Sequence, residues 1–415
     1  MGTMTRLRDL GNWSGGNTPS KANAAYWTDG TVPWVSPKDM KVDEIVSSED
    51  HVSKTALDDG RVSLVPEGSV LFVTRSGILS HTFPVAVTRL PVTINQDLKA
   101  LSPNAGISAK YVAHAIRGAS QRILKQCSKH GTTVASVETN ALLDFEIPIV
   151  DLEAQHRIVA EIEKQFSRLD EAVAGLKRVK ANLKRYKAAI LKAAVEGRLV
   201  ETEADLAHRE DPAQWRNVLL ADVAQITGGL TKNPKRHEYP RKLPYLRVAN
   251  VYANELRLDV IEYIGVTDNE VDKLLLRQGD MLVVEGNGSP DQIGRVALWD
   301  GSIANCVHQN HLIKVRLGSE VLPEWALIWL LSPGGRHEIE QISSSTSGLH
   351  TLSTGKVSRL PLPLPPLAEQ HRIVAEVDRL LSIAREAEAE VETNLKRAQS
   401  LRQAILSKAF TGDAQ

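Results

Sequence analysis

IPIVDLEAQHRIVAEIEKQF (147–166) and LPLPPLAEQHRIVAEVDRLL (362–381) match at an offset of 215, with QHRIVAE identical in both. The match runs without a gap to Ala189–Leu191 and Ala404–Leu406, then on to Gly197 and Gly412. A gap-free similarity of this length marks an internal duplication, and a duplication decides the architecture before any single element is read.

Both copies are almost free of Gly and Pro and rich in Ala, Leu, Lys, Arg and Glu, which predicts long helices over Leu152–Val195 and Leu367–Ala409. In the first, Ile162, Phe166, Leu169, Val173, Leu176, Leu183 and Ile190 follow the alternating three-and-four spacing of a coiled-coil seam, interrupted by Lys180 and Lys187. The same register on the second gives Val377, Leu381, Ala384, Glu388, Val391, Ala398 and Ile405, a weaker seam; NLKR at 182–185 and 394–397 offers a competing offset of 212. Pro148 and the cluster Pro363, Pro365, Pro366 precede the helix starts, where a missing N–H costs nothing, and Gly197 and Gly412 stand where a C-terminal stop belongs. An apolar stripe on each rod needs a partner. Two such rods in one duplicated chain predict an antiparallel pair of pseudo-twofold symmetry with a globular head at each end.

Upstream the repeat is fainter. Gly15-Gly16 with Thr18 matches Gly228-Gly229 with Thr231, VPWVSPKDM (32–40) matches LPYLRVANV (243–251), EGSVLFVTRSG (67–77) matches QGDMLVVEGNG (278–288), and the Gln96 region matches the Gln309 region. Short apolar runs punctuated by Gly, Pro, Asn and Asp predict strands and tight turns. Helix-like stretches follow at 109–127 and 323–342. The expected class is α+β: two β-rich α/β domains in tandem (1–148 and 213–362), helical spacers at 149–200 and 363–415, and a linker at 201–212.

The chain has 415 residues, 50 Lys+Arg against 50 Asp+Glu, and two cysteines, Cys127 and Cys306. The balance argues against a polybasic tail protein but leaves room for local basic patches. Two cysteines cannot build a disulfide framework or a four-thiolate zinc site, so a reducing, cytoplasmic setting is expected. No apolar run reaches the length of a membrane span.

Catalytic signatures are missing from the chain. It has no G-x-x-x-x-G-K-[ST], H-E-x-x-H, C-x-x-C or G-x-S-x-G, and Asp211-Pro212 does not continue into an adenine-methyltransferase tetrad. His156 and His371 recur at equivalent positions without a second ligand at metal spacing, which favours a helix-face role. Basic clustering says more. Thr231–Arg247 holds Lys232, Lys235, Arg236, Arg241, Lys242 and Arg247 against Glu238 alone. Cations and amides on a loop can follow a phosphate backbone and reach base edges, although a solvated loop has the same composition. The candidate DNA contacts are Lys38, Arg75, Ser76, Lys129, His130, Thr132 and Thr133 in the first domain. In the second they are Lys232, Lys235, Arg236, Arg247, Asn250, Asn287, Ser289, Gln309 and His350. Equivalent loops with different residues suit two domains reading different sequences. The first helix is the most basic segment and could lie near DNA.

Two variable domains, each followed by a helix opening with IPIVDLEAQHRIVAEI or LPLPPLAEQHRIVAEV and closing with AAILKAAVEGRL or QAILSKAFTGDA, resemble the DNA specificity subunit of type I restriction-modification systems. The resemblance covers essentially the whole chain. It implies two target-recognition domains on an antiparallel coiled coil, each reading one half of a bipartite double-stranded DNA site. It further implies a subunit without catalysis of its own, partnered by two methyltransferase (modification) subunits and by restriction/translocase subunits. S-adenosylmethionine, ATP and Mg would then belong to those partners, with no cofactor or metal in this chain. A structural coiled-coil adaptor and a fused restriction-modification enzyme are the competing readings.

Overall fold

The computed structural model describes residues 2–129, 134–206, 215–286, 292–343 and 351–410. The chain forms two compact units, Met1–Lys177 with Glu392–Gln415, and Arg178–Val391. The division runs through the two long helices, so each unit holds one head, the first part of its own following helix and the last part of the other helix.

In the first unit a five-stranded sheet has the order Gly11–Gly15, Leu98–Pro103, Val70–Val73, Val85–Thr88, Glu44–Ile45. Its central strand VLFV is buried on both faces, which explains the unbroken apolar run. In the second unit Ala224–Gly228, Leu312–Leu317, Met281–Val284 and Val296–Leu298 form the equivalent four-stranded sheet. A three-stranded sheet accompanies each: Asp50–Val52, Val32–Val35 and Thr93–Ile94 in the first, Glu262–Gly265, Lys242–Leu246 and Val307–His308 in the second.

The stretches read as single helices over 109–127 and 323–342 are each two. Ala109–Gly118 is followed by Ser120–Cys127, and Pro323–Leu331 by Pro333–Ser343. Pro333 cannot donate to the preceding turn, so the second break is dictated by sequence. Tyr111 and Trp325 occupy the same place in the first helix of each pair. The Tyr111 hydroxyl donates to Pro148 O (2.8 Å) and the Trp325 indole N–H to Pro363 O (2.9 Å), tying the helix to the strand that leads into the long helix.

The long helices span Leu152–Val195 and Leu367–Phe410. Gly197 takes φ +67 just past the first, and Arg198 N–H returns to Ala193 O, a left-handed stop that only glycine adopts without strain. Within each unit the helix segments run antiparallel. In the first, Phe166 packs with Leu406 while Asp170 meets Arg402; in the second, Ile190 and Ala194 share a core with Val377 while Lys187 meets Glu388. The seam register holds at offset 215 up to Ala398: Ile162, Phe166, Ile190, Val377, Ala384, Val391 and Ala398 are buried, and Leu169, Val173, Leu176, Leu183 and Leu381 half-buried, whereas at the end of the second helix Leu406 is buried and Ile405 half-buried. Lys180 is exposed.

Gln155 and Gln370, the first residue of QHRIVAE in each copy, are fully buried. Gln155 Oε1 accepts from Ser108 N–H (2.8 Å) and its Nε2 donates to Gly106 O and Val150 O. Gln370 Oε1 accepts from Leu322 N–H (2.8 Å) and its Nε2 donates to Glu320 O and Pro365 O. Each glutamine thus satisfies backbone groups at two loops at once and fixes the long helix to its head. His156 and His371, next along, are both exposed.

Candidate nucleic-acid interface

In each head the polar loops meet at one end of the larger sheet. In the first unit that end holds Gly15 beside Lys99 and Val73 beside Leu98. The chain leaves Val73 and is held by backbone bonds: Thr74 N–H to Asp97 O (2.8 Å), Val137 N–H to Thr74 O (2.8 Å) and Ser76 N–H to Ala135 O (3.0 Å). Arg75 therefore stands opposite Ser136, at the base of the hairpin Ser128–Lys129 with Ser136–Val137.

The second head repeats this backbone pattern. Gly228 lies beside Ile313 and Val284 beside Leu312; Glu285 N–H donates to His311 O (2.9 Å), Leu352 N–H to Glu285 O (2.6 Å), and Gly286 bridges to Thr351. Asn17 N–H to Ile94 O and Leu230 N–H to His308 O complete the correspondence. That pattern equates Asn95 with Gln309, one position from the Gln96 pairing suggested by sequence. The double-glycine motif has a steric cause here: a Cβ on Gly16 would lie 2.0 Å from Asn95 O, and one on Gly229 2.2 Å from His308 O.

The structure brings Arg75, Ser76 and Lys129 to one place. Arg75 and Lys129 are exposed, and neither side chain has an ion-pair partner among the described residues. Ser76 caps the short turn that follows, accepting from Ile78 N–H. His130, Thr132, Thr133, Asn287, Ser289 and His350 lie outside the described residues. Lys38 is set apart in a pocket of acids, 3.0 Å from Asp50 and 3.1 Å from Glu49, which raise its pKa.

The basic loop of the second head is mostly neutralised within the protein. Arg236 is nearly buried; it forms a two-pronged pair with Glu270 (2.8 and 3.2 Å) and also donates to Thr231 O and Gly265 O. That guanidinium holds the Glu270 carboxyl down to about 2. Glu262 takes both Lys232 (2.9 Å) and Arg247 (2.7 Å), and these two cations lower its pKa. Arg241 pairs with Asp268, and Lys242 donates to Arg236 O and His237 O. Asn250 is buried, its amide donating to Arg257 O and Val260 O while its oxygen accepts from Arg247 N–H. Gln309 Oε1 accepts from Val248 N–H.

Arg236 and Asn250 are therefore corrected from candidate base contacts to braces of the loop, because their polar atoms are already spent on internal partners. Lys232, Arg247 and Gln309 are likewise engaged. Lys235 is exposed and has no partner among the described residues.

Composition did not flag Glu285 and His311. His311 Nδ1 lies 2.8 Å from Glu285 Oε2, with the imidazole more than half exposed, at the end of the sheet where Arg75 stands in the other head. A carboxylate there can accept from a cytosine amino group, as a guanidinium can donate to guanine.

Among the described residues no cluster of His, Cys, Asp or Glu could hold a metal ion, and no helix is long and apolar enough to cross a membrane. Cys127 and Cys306 are both buried free thiols.

Comparison with known proteins gives one answer. The type I restriction modification DNA specificity domain matches residues 3–184 and again 212–397. The EcoR124I/EcoR124II specificity subunit of Escherichia coli is 38% identical over 172 residues, covering 41% of this chain and 43% of that subunit, so this match spans less than half of the relative. The StySPI specificity subunit of Salmonella potsdam is 29% identical over 354 residues (84% of this chain, 75% of that subunit), and the EcoKI specificity subunit of Escherichia coli K12 is 26% identical over 314 residues (75% and 67%). The fold is shared with a chain from a structure describing assembly and conformational transition of a type I R-M system, at TM-score 0.73 and 21% identity over 99% of this chain and 98% of that one. It is also shared with the HsdS subunit from Thermoanaerobacter tengcongensis, at TM-score 0.59 and 20% identity over 99% and 97%. With the domain matched twice over most of its length, and one head-and-helix unit built twice in its structure, the chain belongs to the family of the type I restriction modification DNA specificity domain.

Proposed function

We propose that this chain is the sequence-reading subunit of a type I restriction-modification complex, each head reading one half of a bipartite duplex site. One observation carries the reading: the same backbone frame gathers polar loops at the same sheet end in both heads, while the residues on it change from Thr74-Arg75 to Glu285-Gly286. Backbone bonds hold the loops, which leaves side chains available for base edges in the major groove. Methyl transfer and cleavage are assigned to partner subunits, two for modification and others for restriction, which bring S-adenosylmethionine, ATP and Mg. An adenine to be methylated is then flipped from the stack by the modification subunit.

The test is reconstitution with the modification subunits followed by methyladenine sequencing of a plasmid library. A two-part motif is expected, with Arg75→Ala relaxing one part only. Failure to bind DNA even with those partners would favour a purely structural adaptor, and methylation by this chain alone would favour a fused enzyme.

A further inference from the structure

Each head has a groove where its first helix faces the long helices, and the two grooves are built on equivalent residues. In the first unit the groove is about 440 Å³ and is lined by Lys110, His114, Arg117, Glu163, Phe166 and Arg402. In the second it is about 410 Å³, and the same places hold Glu324, Ile328, Leu331, Asp378, Leu381 and Lys187.

Their chemistry is opposite. The first groove carries its own cations. Lys110 pairs with Glu163 (2.6 Å) and Glu44 (3.3 Å), Arg117 with Asp43 (3.2 Å), and Arg402 with Asp170 (2.7 Å) while lying 4.1 Å from the Phe166 ring centroid. In the second, Lys110 has become Glu324 and Arg117 has become Leu331. Lys187 is committed to Glu388 (2.7 Å). Glu324 and Asp378 are exposed and have no ion-pair partner among the described residues. Between them lies an apolar floor of Leu327, Ile328, Leu331 and Leu381.

We infer that the groove of the second head docks an amphipathic basic segment of a protein partner, whose apolar face covers Leu331 and Leu381 and whose Lys or Arg side chains supply the cations that the first groove supplies from within. A volume of this size suits a row of apolar side chains, and the two carboxylates set the sign of the flanking charge. The occupant is present once per chain, because the carboxylates beside the first groove are already paired with its own Lys110, Arg117 and Arg402. The inference goes beyond DNA reading and stands independently of it.

The test uses the full chain and a labelled model peptide of roughly 18 residues, five helical turns, with Leu on one face and Lys on the other. The same peptide with Glu in place of Lys is the comparison. The Lys peptide is expected to bind with a stoichiometry of one. Glu324→Lys with Leu331→Arg, which places cations where the first head has Lys110 and Arg117, is expected to weaken it about tenfold or more. Glu324→Gln, which adds no bulk, gives a smaller loss in the same direction, and circular dichroism checks that both variants are folded. Equal binding of the Glu peptide, a stoichiometry of two, or unchanged affinity in the folded variants would overturn the inference.

Discussion

Lys187 and Glu388, each a charged residue in an otherwise apolar helix seam, are partners: Nζ stands 2.7 Å from Oε2, both side chains about two-thirds covered. A lone charge here would be a defect; a matched pair costs little and favours this alignment over a shifted one. Glu388→Leu alone is expected to destabilise by about 1 kcal/mol or less, as for a partly solvated pair, whereas Lys187→Met with Glu388→Leu restores or exceeds the original stability. A double-mutant cycle by urea unfolding measures it, and equal effects with and without the partner would refute the pairing.

Gln155→Ala and Gln370→Ala each strand backbone groups that the glutamine now satisfies, with an expected loss of about 1–3 kcal/mol. Hydrogen exchange should quicken at Ser108 in the first variant and at Leu322 in the second. Exchange that rises evenly along the chain would speak against a local clamp.

Ending the chain after Val391 removes Arg402, Leu406 and Phe410 from the first unit, where Phe410 lies 5.1 Å from Tyr111 and Gln403 donates to Gly118 O. Limited proteolysis is expected to open Ala109–Gly118 while Pro323–Leu331 stays protected. Equal protection of both helices would contradict the division of the chain described above.

His114 is buried with its Nδ1 unpartnered among the described residues, and burial, with Arg117 nearby, depresses its pKa from 6.5 to about 4 despite the opposing pull of Asp43 and Glu163. A depressed folded value means that the unfolded chain binds the proton first. Stability present above pH 6.5 therefore falls as pH drops towards 4. His114→Ile, the residue at this place in the other head, should flatten part of that acid limb in melts between pH 7 and 4.5. His308, buried and likewise pushed to about 4, supplies a second part.

Glu285→Gln should alter preference at one base pair of one half-site, on the order of ten- to a hundredfold, leaving the other half unchanged. Binding to a randomised duplex library reads this out, and loss of affinity that is uniform across sequences would assign Glu285 a structural role.

Much of this was legible in the sequence because it is periodic or repeated. The starts of both helices follow from Pro and composition and the end of the first from Gly197, while Gly412 lies outside the described residues; the seam register follows from the spacing of Ile162 to Ile190. The loops carrying Arg75 and Lys129 were legible as turn-rich stretches between apolar runs. The fate of the basic loop was not. Arg236 looks like a free cation until the chain brings Glu270 to it from 34 residues away, and Lys232 and Arg247 share Glu262, itself on a neighbouring strand. The QHRIVAE identity announced that something was preserved, but exposed His156 and buried Gln155 are adjacent letters, and only folding tells the anchor from its neighbour.

The first unit's dependence on Glu392–Gln415 also orders events at the ribosome. The first head builds its core from Leu7 to Ile147, but gains the contacts of Gln403, Leu406 and Phe410 only when that segment is made, roughly ten to forty seconds later at ordinary elongation rates. The second unit, by contrast, has all its segments once Val391 is made. Throughout that interval Tyr111, Gly118 and Phe166 lack their partners Phe410, Gln403 and Leu406, so a surface that is covered in the finished chain stays open to water.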